Sequence, residues 1–532
     1  MAEAFVFEQE LKTNNNIEKE INTRLEIGRQ IRNTVLSILL KQHKQMIRTK
    51  KYQKYKRQLS AVLKKLSQAE KKNDKKSKEE KRILKQDLYH NYEQLNDLRN
   101  TFGLTKVDAE KYATPVRNHF YQEKINKKGK TVFKEILDAN TAQKMAERAW
   151  VSYKKYLTKQ SKKVCFKKID EVHSIEGKTN KQGIRFINNQ VYLTANLSIP
   201  IIQKPHDMYA NEILSDIQIG VRKVKYCRII RKVIRGKNRY FVQLVLEGVP
   251  PIKRCSKTGS FNRILGQGNV GIDIGTQNVA VVSKEKILLK DLSPKTNPLG
   301  RQLWLIERKM DRSKRSTNPK NYNDNGTLKK GKKDWAYSNR YKKLRDLRKE
   351  LHRKQADIRK QSHNRDTNVL LSFGDTFYVE TMNFKGLQKK SSKTEKNKKG
   401  KFKRKKRFGK SIGNKAPSMF LTLLEQKLEA LEGNYKEINT WTFKASQYDH
   451  IKDEFIKKKL STRWHLFENG TKIQRDLYSV FLLMNSKANG KTTDRNLCVA
   501  TFDEFEGLHD VFIQQIKKDG RAIKNSGIVT PV

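Results

Sequence analysis

Three carboxylates carry the most chemistry in this 532-residue sequence. Asp273 lies within the apolar run VGIDIG, Glu380 closes DTFYVE, and Asp476 opens RDLYSVFLLMN. A carboxylate set in an apolar segment is costly to bury unless it is paired or holds a metal. Oxygen ligands suit Mg²⁺, and an Asp/Glu/Asp set can hold two such ions, which activate a water and stabilise the leaving oxygen of an in-line phosphodiester cleavage. Taken singly, each acid has an ordinary explanation. D-x-G is a common turn, a Glu after a strand is usually solvated, and an Asp before a helix is usually its cap. Together and in this order they are more specific, and their separations, 380 − 273 = 107 and 476 − 380 = 96 residues, leave room for insertions. Asp494, in TTDRNLCVATF, competes for the third place. Asp476 is preferred because the apolar run after it can pack on a sheet, whereas Asp494 precedes a mixed segment and is expected to cap a turn.

The elements that must position these acids follow from periodicity. Residues 4–11 read as a short strand, and 17–159 as helical, with segments 83–100 and 141–157 the clearest and a polar stretch at 67–82 between them. From about Lys163 the period becomes two: VCFKKI, IRFINNQVYL, VKYCRIIRKVI and RYFVQLVLEG read as strands, the last two joined by the turn Arg235-Gly236-Lys237-Asn238. Then come two strands around VGIDIGTQNVAVVS, a third at KILLKDL, a basic helical stretch at 303–360, and the strand carrying Glu380. Pro417 opens a helix with the stripe Phe420, Leu423, Leu424, Leu428 and Leu431, closed by Gly433; EINTWTF reads as a strand. Strand–hairpin–strand bearing the first Asp, a later strand bearing Glu and a helix bearing the last Asp is the RNase H-type plan. The GxGxxG at 266–271 precedes a strand instead of opening a helix, so it is a linker and not a dinucleotide fingerprint.

The charge names the partner. Lys and Arg exceed Asp and Glu by 116 − 55 = 61, a density at which self-repulsion weakens a compact free chain and a polyanion, nucleic acid, is the expected counterpart. Membrane binding is not expected, since neither an amphipathic anchor nor an apolar run of ~18 residues stands out. No signal-peptide pattern opens the chain, and four scattered cysteines without a CxxC offer no disulfide scaffold or zinc ribbon, so an intracellular protein is expected. The candidate nucleic-acid contacts are the hairpin cations Lys223, Lys225, Arg228, Arg231, Lys232, Arg235, Lys237 and Arg239, with no acid between Val221 and Leu246. A second candidate is the aromatic–basic run holding Lys51, Tyr52, Lys54 and Tyr55, where rings can stack on bases while lysines hold phosphates. The Lys/Arg tract at 388–413 is read as a solvated loop with nucleic acid as its counterion.

These motifs carry a resemblance. GIDIGTQNVAVVS resembles the first RuvC motif of the TnpB family, transposon-encoded relatives of compact type V CRISPR effectors; YVETMNFKGL resembles the second and IQRDLYSVFLLMN the third. The resemblance implies an α+β multidomain chain: an RNase H-like (RuvC) nuclease core, a β-barrel wedge domain and a helical recognition lobe. Its divisions fall at 1–16 (first wedge strand), 17–160 (recognition lobe), 161–267 (wedge), 268–443 (RuvC), 444–470 (lid), 471–490 (third motif) and 491–532 (C-terminal tail). It further implies an Mg²⁺-dependent, RNA-guided DNA endonuclease with Asp273, Glu380 and Asp476 catalytic, Asp273 bridging two metal ions. The implied partners are a guide RNA and double-stranded target DNA, held by a monomer or homodimer in a prokaryotic cytoplasm, associated with the nucleoid. An RNA-guided repressor without cleavage, or a guide-independent structure-specific RuvC nuclease, are the alternatives. In one respect the sequence departs from the family: the four-cysteine zinc ribbon is replaced by 441–470, where only Asp449, His450 and His465 remain as ligand types, at a spacing that fits no standard zinc site. A metal-free lid with Tyr448 and Trp464 in its core is expected there.

Overall fold

The computed structural model describes residues 4–69, 75–125, 131–194, 196–254, 258, 260, 263–389, 394–395, 400, 402, 408–459, 461–520, 523 and 525–528. It is a mixed α/β structure whose chain divides into two units, Met1–Pro250 and Pro251–Val532. Among the described residues no helix is long and apolar enough to cross a membrane.

The first unit runs β1 (Ala4–Glu10), α1 (Asn15–Arg48), α2 (Lys50–Ala69), α3 (Lys75–Thr101), α4 (Lys106–Asn118), β2 (Gln122–Ile125), β3 (Thr131–Lys134), α5 (Ala139–Leu157), β4 (Ser174–Glu176), β5 (Arg185–Ile187), β6 (Gln190–Leu193), β7 (Leu197–Pro200), α6 (Met208–Gln218), β8 (Val224–Ile234) and β9 (Lys237–Glu247). One hydrophobic core serves helices and sheets alike: Ile31 and Val35 of α1 and Met145 of α5 pack with Ile229 of β8 and Val242 of β9. The β8–β9 hairpin turns on Arg235 and Gly236, both at positive φ, the geometry of a two-residue turn whose twist matches its strands.

Three expectations change here. The strands of the wedge region do not close into a barrel among the described residues; they form two open sheets, β1-β9-β8-β4 and β5-β6-β7, which meet at one corner where Leu11 bridges Ile201. Ladders of three or four residues in β4 to β7 are too short to stagger around a closed barrel. VCFKKI (164–169) is not a strand. The α1 side chains take over its backbone: Asn33 both donates to the Lys167 carbonyl and accepts its N–H, at 2.7 and 2.9 Å, and Arg29 donates to the same carbonyl. The helical region is interrupted by the β2–β3 hairpin, which its 3–4 spacing did not announce.

The second unit runs β10 (Asn269–Ile274), β11 (Asn278–Ser283), β12 (Ile287–Asp291), α7 (Asn297–Thr317), α8 (Asn339–Leu370), β13 (Thr376–Glu380), α9 (Phe384–Leu387), α10 (Gly409–Lys415), α11 (Pro417–Glu429), β14 (Asn434–Ile438), α12 (Thr440–Phe443), β15 (Tyr448–Asp449), β16 (Glu454–Phe455), β17 (Trp464–Leu466), β18 (Lys472–Gln474), α13 (Arg475–Met484) and α14 (Arg495–Lys518). Five strands form one sheet, β12-β11-β10-β13-β14, antiparallel from β12 to β10 and parallel from β10 to β14. Alternation sorts its side chains. Val270, Ile272, Phe377 and Val379 face Leu370 of α8 and Phe420, Leu424 and Leu428 of α11. Ala280, Val282 and Tyr378 face α13 and α14 on the other side.

The basic stretch at 303–360 is two helices, not one, broken after Thr317 by Asn318-Pro319, with the Asn318 side chain closing the connection onto the backbone of Ala336 at 2.8 and 2.9 Å. EINTWTF splits into the end of β14 and the short α12. The 491–532 segment, expected as a tail, contains the 24-residue helix α14, which buries Cys498, Phe502, Phe505, His509, Ile513 and Ile516 along one stripe. Asp494 is the cap of that helix, accepting from the Leu497 N–H at 3.2 Å. Much of the basic tract expected as a loop (390–393, 396–399, 401 and 403–407) lies outside the described residues.

Gly271 sets how closely α13 can cross the sheet. A Cβ there would strike the Val480 carbonyl oxygen and come within 2.8 Å of the Met484 N. Gly271→Ala is expected to destabilise the unit by about 3 kcal/mol. Gly413→Ala, where a Cβ meets open space, should be nearly neutral. Thermal unfolding of the two variants checks the contrast.

Candidate active site

Asp273 and Glu380 sit on adjacent parallel strands, and the register sets them side by side. Gly271 pairs with Tyr378 and Ile272 with Val379, so the next residue on each strand is an acid. Because Ile272 and Val379 point to the α8–α11 side, Asp273 and Glu380 point to the α13 side. Asp476 lies in the first turn of α13, the helix packed across that same face. All three expected acids are therefore brought together.

Their electrostatics show the proximity. Burial pushes the Asp273 carboxyl well above the ordinary carboxylate range, and the neighbouring charges of Glu380 and Asp476 push it further; Arg475 acts in the opposite sense. Burial also raises Glu380, and the nearby Thr440 hydroxyl, which donates to the Thr381 carbonyl at 2.6 Å, acts in the opposite sense. Among the described residues no three His, Cys, Asp or Glu side chains close around one point as a metal cage. The three acids stand as neighbours, Asp273 sensing each of the other two.

Asp476 is held by a network with no counterpart in the expected site residues. Gln474, fully buried, caps α13 by accepting from the Leu477 N–H at 2.9 Å and donates its amide to Asp476 Oδ2 at 3.3 Å and to the Ser526 carbonyl at 3.1 Å. Its backbone N–H donates to Nε2 of His509, on α14, at 3.0 Å. That acceptor role places the ring proton on Nδ1, which donates to Asp510 at 2.9 Å. Arg475 donates to the Thr462 carbonyl at 3.1 Å and lies 3.8 Å from Asp476 Oδ1. Beside Glu380 a cavity of about 440 Å³ is lined by Asn383, Tyr435, Glu437 and the highly exposed Trp441.

The segment in place of a zinc ribbon is two short ribbons, β15–β16 and β17–β18. Asp449 accepts from His465 Nε2 at 3.0 Å, both side chains being buried, and Lys458 meets the other ring nitrogen. His450 sits among Phe467, Tyr478, Phe481 and Phe502. The Tyr478 oxygen accepts the His450 backbone N–H at 3.1 Å and lies 2.8 Å from Nδ1 of the same histidine. Tyr448 is buried and Trp464 half-buried in this cluster.

The candidate nucleic-acid contacts divide. Arg231 is only 7% exposed and is tied to Asp170 and Asn22. Arg228 pairs with Glu176 at 2.7 Å, Lys232 with Glu8, and Arg239 with Glu10 at 2.7 Å. The acids absent from the hairpin's own sequence thus arrive from β1, β4 and the loop at Asp170. Lys223, Arg235 and Lys237 are exposed and Lys225 half-buried. On α2, Lys51 and Lys54 are exposed, while Tyr52 and Tyr55 rest half-buried against the core.

No protein-family model matches the chain, and no curated protein matches it. Among solved structures it is similar to a chain of the cryo-EM structure of the Cas12f1-sgRNA-target DNA complex, with a TM-score of 0.42 and 10% identity, covering 91% of this chain and 99% of that one. At that level of likeness, function has to be read from the residues themselves.

The His450 imidazole is pushed down from 6.5 to about 4, chiefly by burial. Between those values the unfolded chain binds the extra proton, so the contribution is complete above pH 6.5 and is lost as the pH falls towards 4, about 3 kcal/mol in all. Denaturant unfolding followed from pH 7 to pH 5 should show a falling stability whose slope is reduced in His450→Phe.

Proposed function

We propose that this chain is an RNA-guided DNA endonuclease whose reaction centre is Asp273, Glu380 and Asp476. The observation that carries the chemistry is the placement of Asp273 and Glu380 side by side on one face of a mixed sheet, with Asp476 on the helix that crosses that face. Support for an RNase H-like (RuvC) core comes from the strand order, with the first acid on the central strand, the second on its parallel neighbour and the third on the helix across both. Support for the polyanionic partners comes from the excess of 61 positive charges, which a compact chain tolerates best when neutralised by nucleic acid. The order of motifs around GIDIG, YVE and RD supports the guided class within that chemistry.

The donor set fits Mg²⁺. It is all oxygen, and the charges of Glu380 and Asp476 add to burial in raising the proton affinity of Asp273, with Arg475 opposing them, a deficit of positive charge that a divalent ion makes good. Asp273 would be shared between two ions, with Glu380 and Asp476 each completing one; bound there, they supply nucleophile activation and neutralise charge on the cleaved phosphodiester. The chain's own part is orientation. Thr440 holds the carbonyl of Thr381, next to Glu380, the Gln474 amide steadies Asp476, and the His509 contact fixes the turn that carries both Gln474 and Asp476.

Asp273→Ala should abolish Mg²⁺-dependent DNA cleavage, a loss of roughly a thousandfold or more given what two-metal chemistry contributes, while leaving RNA binding intact. A variant that still cuts would dismiss the site assignment. Wild-type protein that binds RNA and target DNA yet never cuts would favour the repressor. Cleavage of branched DNA by RNA-stripped protein would favour the guide-independent nuclease.

A further inference from the structure

The first unit contains a groove of about 860 Å³ between α2, α3, the start of α4 and the last turns of α5. Tyr52, Tyr92 and Trp150 line it together with Lys56, Arg99 and Lys154, and no carboxylate does. Two of these cations already lie over rings, Lys56 at 5.8 Å from the centre of Tyr52 and Lys154 at 5.1 Å from that of Trp150. Arg99 holds the Asn96 side chain at 2.6 Å, while its Nε is buried with no hydrogen-bond partner among the described residues. Tyr92 is 41% exposed, although it lines a concave surface that also contains the buried Leu95 and Tyr153.

This combination selects against the ordinary occupants of a groove. An apolar helix would leave the cations uncompensated, and an acidic peptide would not use the ring faces. A nucleotide uses both: an unstacked base lies on aromatic faces while its phosphates meet Lys and Arg. Bases inside a duplex have their faces covered by the neighbouring pairs, so the occupant is single-stranded. The hydroxyls of Thr105 and Thr158 at the wall already donate to Asp108 and to the Lys154 carbonyl, so they and Ser60 offer oxygen lone pairs to the proton of a ribose 2′-OH, which DNA lacks.

We propose that this groove binds an unpaired nucleotide of a single-stranded RNA, with its base stacked on Tyr92 and its phosphate on Arg99 and the flanking lysines. The inference rests on the reading that the chain carries RNA, but it requires no cleavage, so an inactive Asp273 site would leave it untouched.

The test is photo-crosslinking of the full-length protein to a short single-stranded RNA bearing 4-thiouridine, with the crosslinked peptides mapped by mass spectrometry. Crosslinks should fall on the groove segments of α2, α3 and α5. Tyr92→Ala should lower their yield and weaken binding of that RNA about tenfold, with Tyr92→Phe restoring both. Tyr89→Ala, on the same helix but 69% exposed and outside the groove, should change neither. Lys154→Ala should reduce the salt dependence of binding by about one phosphate contact. Circular dichroism melting of Tyr92→Ala separates loss of contact from loss of fold, since a melt like that of the wild type with weakened crosslinking is the expected pair. Crosslinks mapping elsewhere, or equal behaviour of the folded Tyr92 and Tyr89 variants, would overturn the site. Equal crosslinking by the corresponding 4-thiothymidine DNA would overturn its assignment to RNA.

Discussion

The second unit depends on how closely one helix can lie against one strand. At Gly271 the backbone of α13 passes where any side chain would stand, and this close approach sets Asp476 over the face on which Asp273 and Glu380 already lie. Close packing of this kind is rigid because protein interiors have few voids into which a displaced helix can move. Repulsion among three acids would otherwise push the elements apart. It is resisted by the aromatic and aliphatic contacts of α13, whose residues from Leu477 to Met484 are all buried. Packing thus holds the acids near one another, and burial first, then the charges of Glu380 and Asp476, raises the Asp273 pKa.

The packing extends to the segment that lacks cysteines. A zinc ribbon is held by metal–sulfur bonds and needs little core. Here the same length of chain is held by His450 and Phe467 packed among the rings of α13 and α14, and by the buried His465–Asp449 pair joining the two ribbons. A buried pair of this kind is worth little as raw attraction, but breaking one partner would strand the other. It therefore serves register, fixing β15 against β17, while the aromatic cluster supplies burial. The helix α14 belongs to this arrangement, capped at Asp494 and hydrogen-bonded through His509 to the backbone of Gln474.

The acids were legible because local pattern and chemistry agreed: period-two apolar runs surround Asp273 and precede Glu380, and a helical apolar run follows Asp476. What could not be read was non-local. Nothing in the hairpin sequence reveals that Glu8, Glu10, Glu176 and Asp170 neutralise its cations, because those acids lie tens to hundreds of residues away. The same holds for Gln474 and His509, 35 residues apart and joined by one hydrogen bond. VCFKKI has the alternation of a strand, yet α1 side chains claim its carbonyls, so no ladder forms. The stripe Cys498, Phe502, Phe505, His509, Ile513 and Ile516 is a 3–4 pattern in the sequence, the local signal that α14 is a helix.

An excess of 61 positive charges gives the free polypeptide a large self-repulsion, relieved when a polyanion is bound. Part of the hairpin's charge is spent inside the first unit, on Glu8, Glu10, Glu176 and Asp170. The measurement that tests the account most directly is sequencing of the RNA that co-purifies with the protein from its native cell. A single defined RNA with one constant region and one variable end is the predicted result. A random sample of cellular RNA, or protein that purifies well behaved and free of nucleic acid, would contradict it.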